Sequence, residues 1–249
     1  MLTRRDGLIV GQPAHAWVSG QLARAWGGGA FPAPAPREPV CLAAEQHDVG
    51  WADADLAPLV GDDGRPLSFL EYPRAQHLAI WRDAPRRLLA QSRYAALLVS
   101  LHGTSLYARV DPDAYEPEVA AAIRDYVAGQ RALQDRLATG LDPAEVDRNR
   151  RLLLAWDRLS LALCHGSATT LESVPSAQGD VTIQVEPAGA PAGVETARFA
   201  VDPWPFAADR VVVGCEGRRL AGSFADERAL EAALATAPWV SLRWALTPA

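Results

Sequence analysis

Near Ser167 the apolar residues of this 249-residue chain change period, and that change bounds the fold more than any other feature. Before it, apolar side chains recur every three to four residues, the spacing of an amphipathic helix. After it they alternate. In "VTIQVE", Val181, Ile183 and Val185 alternate with Thr182, Gln184 and Glu186, the signature of a half-buried strand. The expected architecture is mainly α: a helical bundle over residues 1–166. A small, mostly antiparallel sheet with one helix, over 167–249, packs on it.

The helical portion divides at prolines and glycines. Pro13–Trp26 starts at a proline and stops at Gly27-Gly28-Gly29, with His15, Val18, Leu22 and Ala25 on one face. After the loop "FPAPAPREP", Pro39–Val49 places Val40, Ala43, Ala44 and His47 together. Pro73–Gln91 aligns His77, Ile80, Trp81, Ala84 and Leu88. "RYAALLVSLHGTSLYARV" aligns Ala95, Leu98, Val99, His102 and Leu106. Pro117–Ala138 is more polar and is expected on the outside. The last helix is capped by Asp142-Pro143, carries Asp157 within its apolar face and ends at His165-Gly166. Beyond it, "ARFAV", "RVVVGCEGRRL" and "WVSLRWAL" read as strands, with hairpin punctuation in "GCEGRRL", and "DERALEAALATA" as a helix. Trp204 and Phe206 in "FAVDPWPF" are expected at the seam between sheet and bundle, with a partner-binding surface as the alternative.

Composition removes several functions. The net charge is −6, whereas a binder of nucleic-acid backbone needs a basic face. All 24 basic residues are Arg, so no Lys is present to form a Schiff base or hold a phosphate. Cys41, Cys164 and Cys215 form no Cys-x-x-Cys pair and read as buried thiols of a reducing compartment. With no signal peptide or long apolar run, the expected location is cytoplasmic, with no membrane partner. Ser100, Ser105 and Ser160 lie near histidines, yet no Gly-x-Ser-x-Gly elbow or phosphate-binding glycine loop occurs.

One constellation carries chemistry. His15, His47, Asp48, His77, His102 and Asp157 lie on, or adjoin, the inward faces of separate helical segments. Any one histidine alone reads as a core residue with satisfied nitrogens, and a buried Asp could pair with Arg. Four histidines and two aspartates together are better explained by one site. Imidazoles and carboxylates are ligands for Fe, Mn, Ni, Co or Zn, and six of them suit two divalent ions. His15, His47, Asp48 and Asp157 would hold one. Asp48, the candidate catalytic carboxylate, would bridge to a second ion held by His77 and His102. Two such ions against two carboxylates leave positive charge for a small anionic substrate. Arg74 and Arg82 flank His77, Arg158 follows Asp157, and Trp51 follows the His-Asp pair; these four are candidate substrate-binding side chains. Glu45 is expected to point elsewhere, and His165 to serve the helix end.

The order His, His-Asp, His, His, Asp on successive helices resembles the dinuclear form of the HD-domain superfamily. More closely, "EQHDVGW", "SFLEYPRAQHLAIW", "YAALLVSLHGTSLY" and "WDRLSLALC" resemble a bacterial family of uncharacterised HD-like proteins, the DUF3891 family, over nearly the whole chain. The resemblance implies an HD-like bundle and a metal-dependent phosphohydrolase acting on a small phosphate ester or nucleotide. Many members follow the His-Asp with Gly-Lys; here Gly50 is followed by Trp51. A branch that includes myo-inositol oxygenase uses the same ligand order for a mixed-valent di-iron oxygenase. A non-catalytic metal-stabilised binding or sensor protein is the third expectation.

Overall fold

The computed structural model describes residues 1–4, 6–108, 110–189 and 196–249; Arg109, at the end of the fourth helical segment, lies outside them. Two short strands open the chain, β1 (Leu2–Thr3) and β2 (Leu8–Val10). Seven helices follow: α1 (Gln12–Ala25), α2 (Arg37–Gln46), α3 (Ala52–Leu56), α4 (Arg74–Leu88), α5 (Arg93–Tyr107), α6 (Pro117–Ala138) and α7 (Pro143–His165). Then come β3 (Thr169–Ser176), β4 (Gly179–Pro187), β5 (Ala197–Asp202), β6 (Val211–Arg219), α8 (Glu227–Thr236) and β7 (Trp239–Pro248). Among the described residues, no helix is long and apolar enough to cross a membrane.

The expected mainly α bundle with a small C-terminal sheet is not what forms. Among the described residues about half are helical, and the strands make one curled, half-barrel sheet of seven. Its order is β1-β2-β6-β7-β5-β4-β3, with β5 and β7 parallel and every other pair antiparallel. The N-terminal strands were hidden because "LIV" is too short to show alternation. It becomes a strand by pairing Leu8 with Arg219 and Ile9 with Arg218. In β3 the register shifts between Leu171 and Val174, and Ser173 has φ 54°. That bulge breaks the period on which a strand reading depends. The "GCEGRRL" hairpin is also absent. β6 runs straight through Gly214 and Gly217, where a Cβ would lie 2.5 Å from Leu242 O and 2.7 Å from Ile9 O. The glycines there serve close backbone approach.

The helices end where local chemistry dictates. Asp142 accepts from Ala144 N at 3.0 Å to start α7, and Gly166, at φ 71°, closes it in the left-handed region. Ser92 caps α5 through Ala95 N at 3.1 Å. The first amide of α1, on Gln12, donates to the Asp55 carboxylate of α3. As expected, α6 turns only one stripe inward, including Ala120, Ile123 and Tyr126.

Helices and sheet share one apolar core, in which Leu22, Trp156 and Leu163 meet Ile183, Phe199 and Val213. Trp26 stacks edge-on against Phe31, Trp156 and Phe206, and Trp204 is half-buried with its indole N–H on Ala208 O. Trp204 and Phe206 therefore belong to the seam. Where β2 stops, β6 has an open edge, and α1 covers it. The Gln21 amide accepts from Gly214 N at 3.0 Å and donates to Gly214 O at 2.8 Å, taking the place of a neighbouring strand. Gln21→Ala should lower stability by about 1–3 kcal/mol, since two backbone groups lose partners. Urea unfolding checks this; an unchanged midpoint would exclude the role.

Candidate metal centre

Four helical segments bring five of the six expected ligands together. His15 lies in the first turns of α1, His102 in α5 and Asp157 in α7. α2 ends at Gln46, so His47 and Asp48 follow its last turn, Asp48 at φ −102° and ψ 17°. In a continuing helix adjacent side chains would diverge by roughly 100°; the break lets both face the site. Two glycines allow the approach. A Cβ on Gly20 would lie 2.7 Å from Glu45 Cβ, and one on Gly50 would lie 2.6 Å from Ile80 O.

His15 Nε2 is 2.6 Å from Asp48 Oδ2, and His47 Nε2 is 3.6 Å from the same oxygen. Asp157 faces His47 Nε2 through Oδ1 at 3.4 Å and His102 Nε2 through Oδ2 at 3.6 Å. The rings of His15 and His47, and of His47 and His102, meet edge-on at 5.1 and 4.9 Å. The donor atoms fall into two overlapping groups: His15, His47 and Asp48, and His47, His102 and Asp157. His47 belongs to both.

Hydrogen bonds identify which nitrogens carry protons. His47 Nδ1–H donates to Ala44 O at 2.9 Å, and its buried Nε2 has no hydrogen-bond partner. Ser160 spends its one hydroxyl proton on Asp157 O at 2.8 Å, so it accepts from His15 Nδ1–H at 2.9 Å. Ser19 donates to Ser160 Oγ as well, at 2.9 Å. The Nε2 atoms of His15 and His47 thus face carboxylate oxygens, with His15 Nε2 hydrogen-bonded to Asp48 Oδ2. Two acceptors in contact need a shared proton or a cation between them, and this donor set fits a metal ion. His102 Nδ1 is likewise buried and unpartnered.

The charges respond to one another. Burial pulls His47 down, but Asp48 and Asp157 overcome it and push its pKa up to about 9. Burial raises both carboxylates, yet their histidine partners hold them below the usual range. His102 is lowered to about 4 by burial, which Asp157 offsets only in part.

His77 stands apart, one layer out. It is lowered to about 4 by burial and then by Arg74. Its ring meets Trp51 edge-on at 5.4 Å and contacts Trp81 and Tyr107. Trp51 is buried in that layer with Phe69 and Tyr72. Arg74 is half-buried, 5.8 Å from the Tyr107 ring centre and 5.3 Å from that of Tyr115. Arg82 and Arg158 are exposed. Glu45 pairs outward with Arg24 at 2.5 Å, and His165 is exposed at the end of α7. Ser160 and Tyr107 are the positioning groups that pattern reading missed. Ser160 was legible as i+3 from Asp157 on one helix face; Tyr107 had no such signal.

A helical layer enclosing a buried His–Asp cluster, backed by a curled mixed sheet, defines the class: an α/β protein with a candidate metal centre. The chain belongs to the family described as "Protein of unknown function (DUF3891)", which matches residues 1–222. A search of curated proteins and a search of solved structures both found no match.

Any ion at His47 must displace its proton. In metal-free protein the His47 contribution to stability is complete below about pH 6.5 and is lost as pH rises through about 9. Zinc affinity should therefore climb about tenfold per pH unit up to about 9. Chelator-competition titrations between pH 6.5 and 8.5 measure this, and a flat profile would contradict the proton assignment.

Proposed function

We propose that the chain is an HD-type metal-dependent hydrolase of a small phosphate ester or nucleotide. The observation that carries the metal reading is His47 Nε2: buried, without a hydrogen-bond partner, directed by the Nδ1 bond to the Ala44 carbonyl, and facing two carboxylates. A nitrogen with one lone pair ligates one ion. His15, His47 and Asp48 would hold the first, and His102 with Asp157 the second, while His77 stands outside the cluster. Bound there, Fe, Mn, Ni, Co or Zn would supply Lewis acidity to lower the pKa of water and offset charge on phosphoryl oxygens.

The chain's own groups do the rest. Asp48 and Asp157 lower the net charge of the site without cancelling it, which favours an anion. Ser160 and Ala44 hold two imidazoles in the ligating tautomer. Arg74 is the one candidate arginine beside the His77 layer, held by Tyr115 at 3.1 Å, and it is the side chain to orient a phosphate. Trp51 and Trp81 wall that layer against water. The same aromatic wall favours the oxygenase as the second reading, because oxygen chemistry needs a dry site.

The test is elemental analysis of tag-free protein beside a His47→Ala/Asp48→Ala variant whose fold is checked by circular dichroism. About two equivalents of transition metal are expected in the wild type and near none in the variant. The Mn²⁺- or Fe²⁺-loaded wild type should hydrolyse small phosphate esters, and Arg74→Ala should raise KM about tenfold. A wild type that takes up no metal ends the reading. Metal without phosphate-ester turnover, but with oxygen uptake on reduced iron and a polyol, transfers the site to the oxygenase.

A further inference from the structure

The layer around His77 offers more hydrogen-bond donors than acceptors. The Trp81 indole N–H can only donate, and it lies 3.4 Å from His77 Nε2. His77, lowered to about 4 by burial and then by Arg74, is neutral, so its one proton sits on Nδ1. That Nδ1–H donates to the hydroxyl of Tyr107. The hydroxyl has a proton of its own. Burial raises the Tyr107 phenol above its ordinary pKa and Arg74 offsets this only in part, so the proton stays on the oxygen. Among the described residues, the one hydrogen bond of this hydroxyl is the one it accepts from His77. Its own proton is therefore left without an acceptor.

Arg74 carries the same surplus. Its hydrogen-bond partner is the neutral Tyr115 hydroxyl, at 3.1 Å, and its guanidinium lies 5.8 Å from the Tyr107 ring centre. Burial lowers Arg74, and the groups that outweigh burial are Tyr107 and Tyr115, with no carboxylate among them. A third donor, the Trp51 indole N–H, is buried in the same layer without a partner. Arg74, Tyr72 and His77 are part-exposed, so the layer opens to solvent, while Tyr107 and Trp51 are buried. A hydroxyl proton and a guanidinium that both lack an anionic acceptor match one kind of ligand group, an oxyanion. The Trp81 ring lies 6.3 Å from that of His77 and 5.4 Å from that of His102. With an indole between this layer and the His–Asp cluster, an oxyanion held here is not the group that reacts there.

We propose that Tyr107 and Arg74 form a subsite for a non-reacting oxyanion of the substrate, a phosphate or carboxylate group. This rests on the reading given under Proposed function and narrows it: the substrate is a small molecule with the reacting bond at one end and an acidic group at the other. A hydrogen bond to a charged group is worth about tenfold or more in affinity.

The experiment titrates inorganic phosphate, and separately acetate, into the full chain freed of metal, at constant ionic strength, and follows binding by calorimetry. Wild type, Tyr107→Phe, Arg74→Ala and Arg86→Ala are compared; Arg86 is exposed on the same helix and controls for the loss of charge. The expected result is one saturable site for at least one of the two anions in the wild type and in Arg86→Ala, weakened about tenfold in Tyr107→Phe and in Arg74→Ala. The anion bound more tightly identifies the group. If Tyr107→Phe does not fold, Arg74→Ala, altered at a part-exposed position, still decides. Equal affinity in wild type and Arg74→Ala would overturn the subsite, as would a folded wild type that binds neither anion. Both results leave the metal reading standing, because no metal is present. Weakening in Arg74→Ala but not in Tyr107→Phe would overturn the role of the Tyr107 proton. Anion binding with the expected losses, in a protein that takes up no metal, would uphold the oxyanion site and remove the hydrolase reading.

Discussion

Two carboxylates inside an apolar core set the terms for the rest of this structure. Asp48 is buried and Asp157 nearly so. An ion in such a place costs several kcal/mol unless it is paired and hydrogen-bonded. The partners come from α1, the end of α2, α5 and α7, so no helix hairpin can satisfy the charges alone. Docking all four is the condition for tolerating any of them. The close approaches at Gly20 and Gly50 follow from that demand, because larger residues would hold α1 off α2 and the His-Asp turn off α4.

The sheet contributes none of the clustered side chains, yet it decides where two of them stand. α1 carries His15 and lies along the open edge of β6, tied there by the Gln21 amide. α7 carries Asp157 and packs on β3. Trp26, at the end of α1, meets both Trp156 of α7 and Phe206 from the sheet side. The half-barrel is therefore a brace for α1 and α7.

Within the cluster, specificity lies in protons more than in residue types. Histidine has two nitrogens that differ only in what the protein offers each one. Here a helix-end carbonyl claims Nδ1 of His47 and a serine already donating elsewhere claims that of His15. His102 lacks such a partner, and its Nδ1 is buried without one.

The helices other than α3, with the ends at Asp142 and Gly166, were legible in the sequence. Period and capping are local properties, and a 23-residue helix such as α7 repeats its pattern many times. The set His15, His47, Asp48, His102 and Asp157 was legible too, since polar residues on apolar faces demand partners. The single sheet was not. β2 has three residues and β3 a bulge, and both exist through pairing with strands far along the chain. Nor could sequence separate His77 from the others, because its helical spacing equals theirs and only the positions of Tyr107 and Trp81 set it one layer out. The sequence by itself determined which side chains had to meet, because burying them alone is too costly. Tertiary structure decided which atoms face which, because distance and hydrogen-bond direction depend on how α1, α2, α4, α5 and α7 pack together.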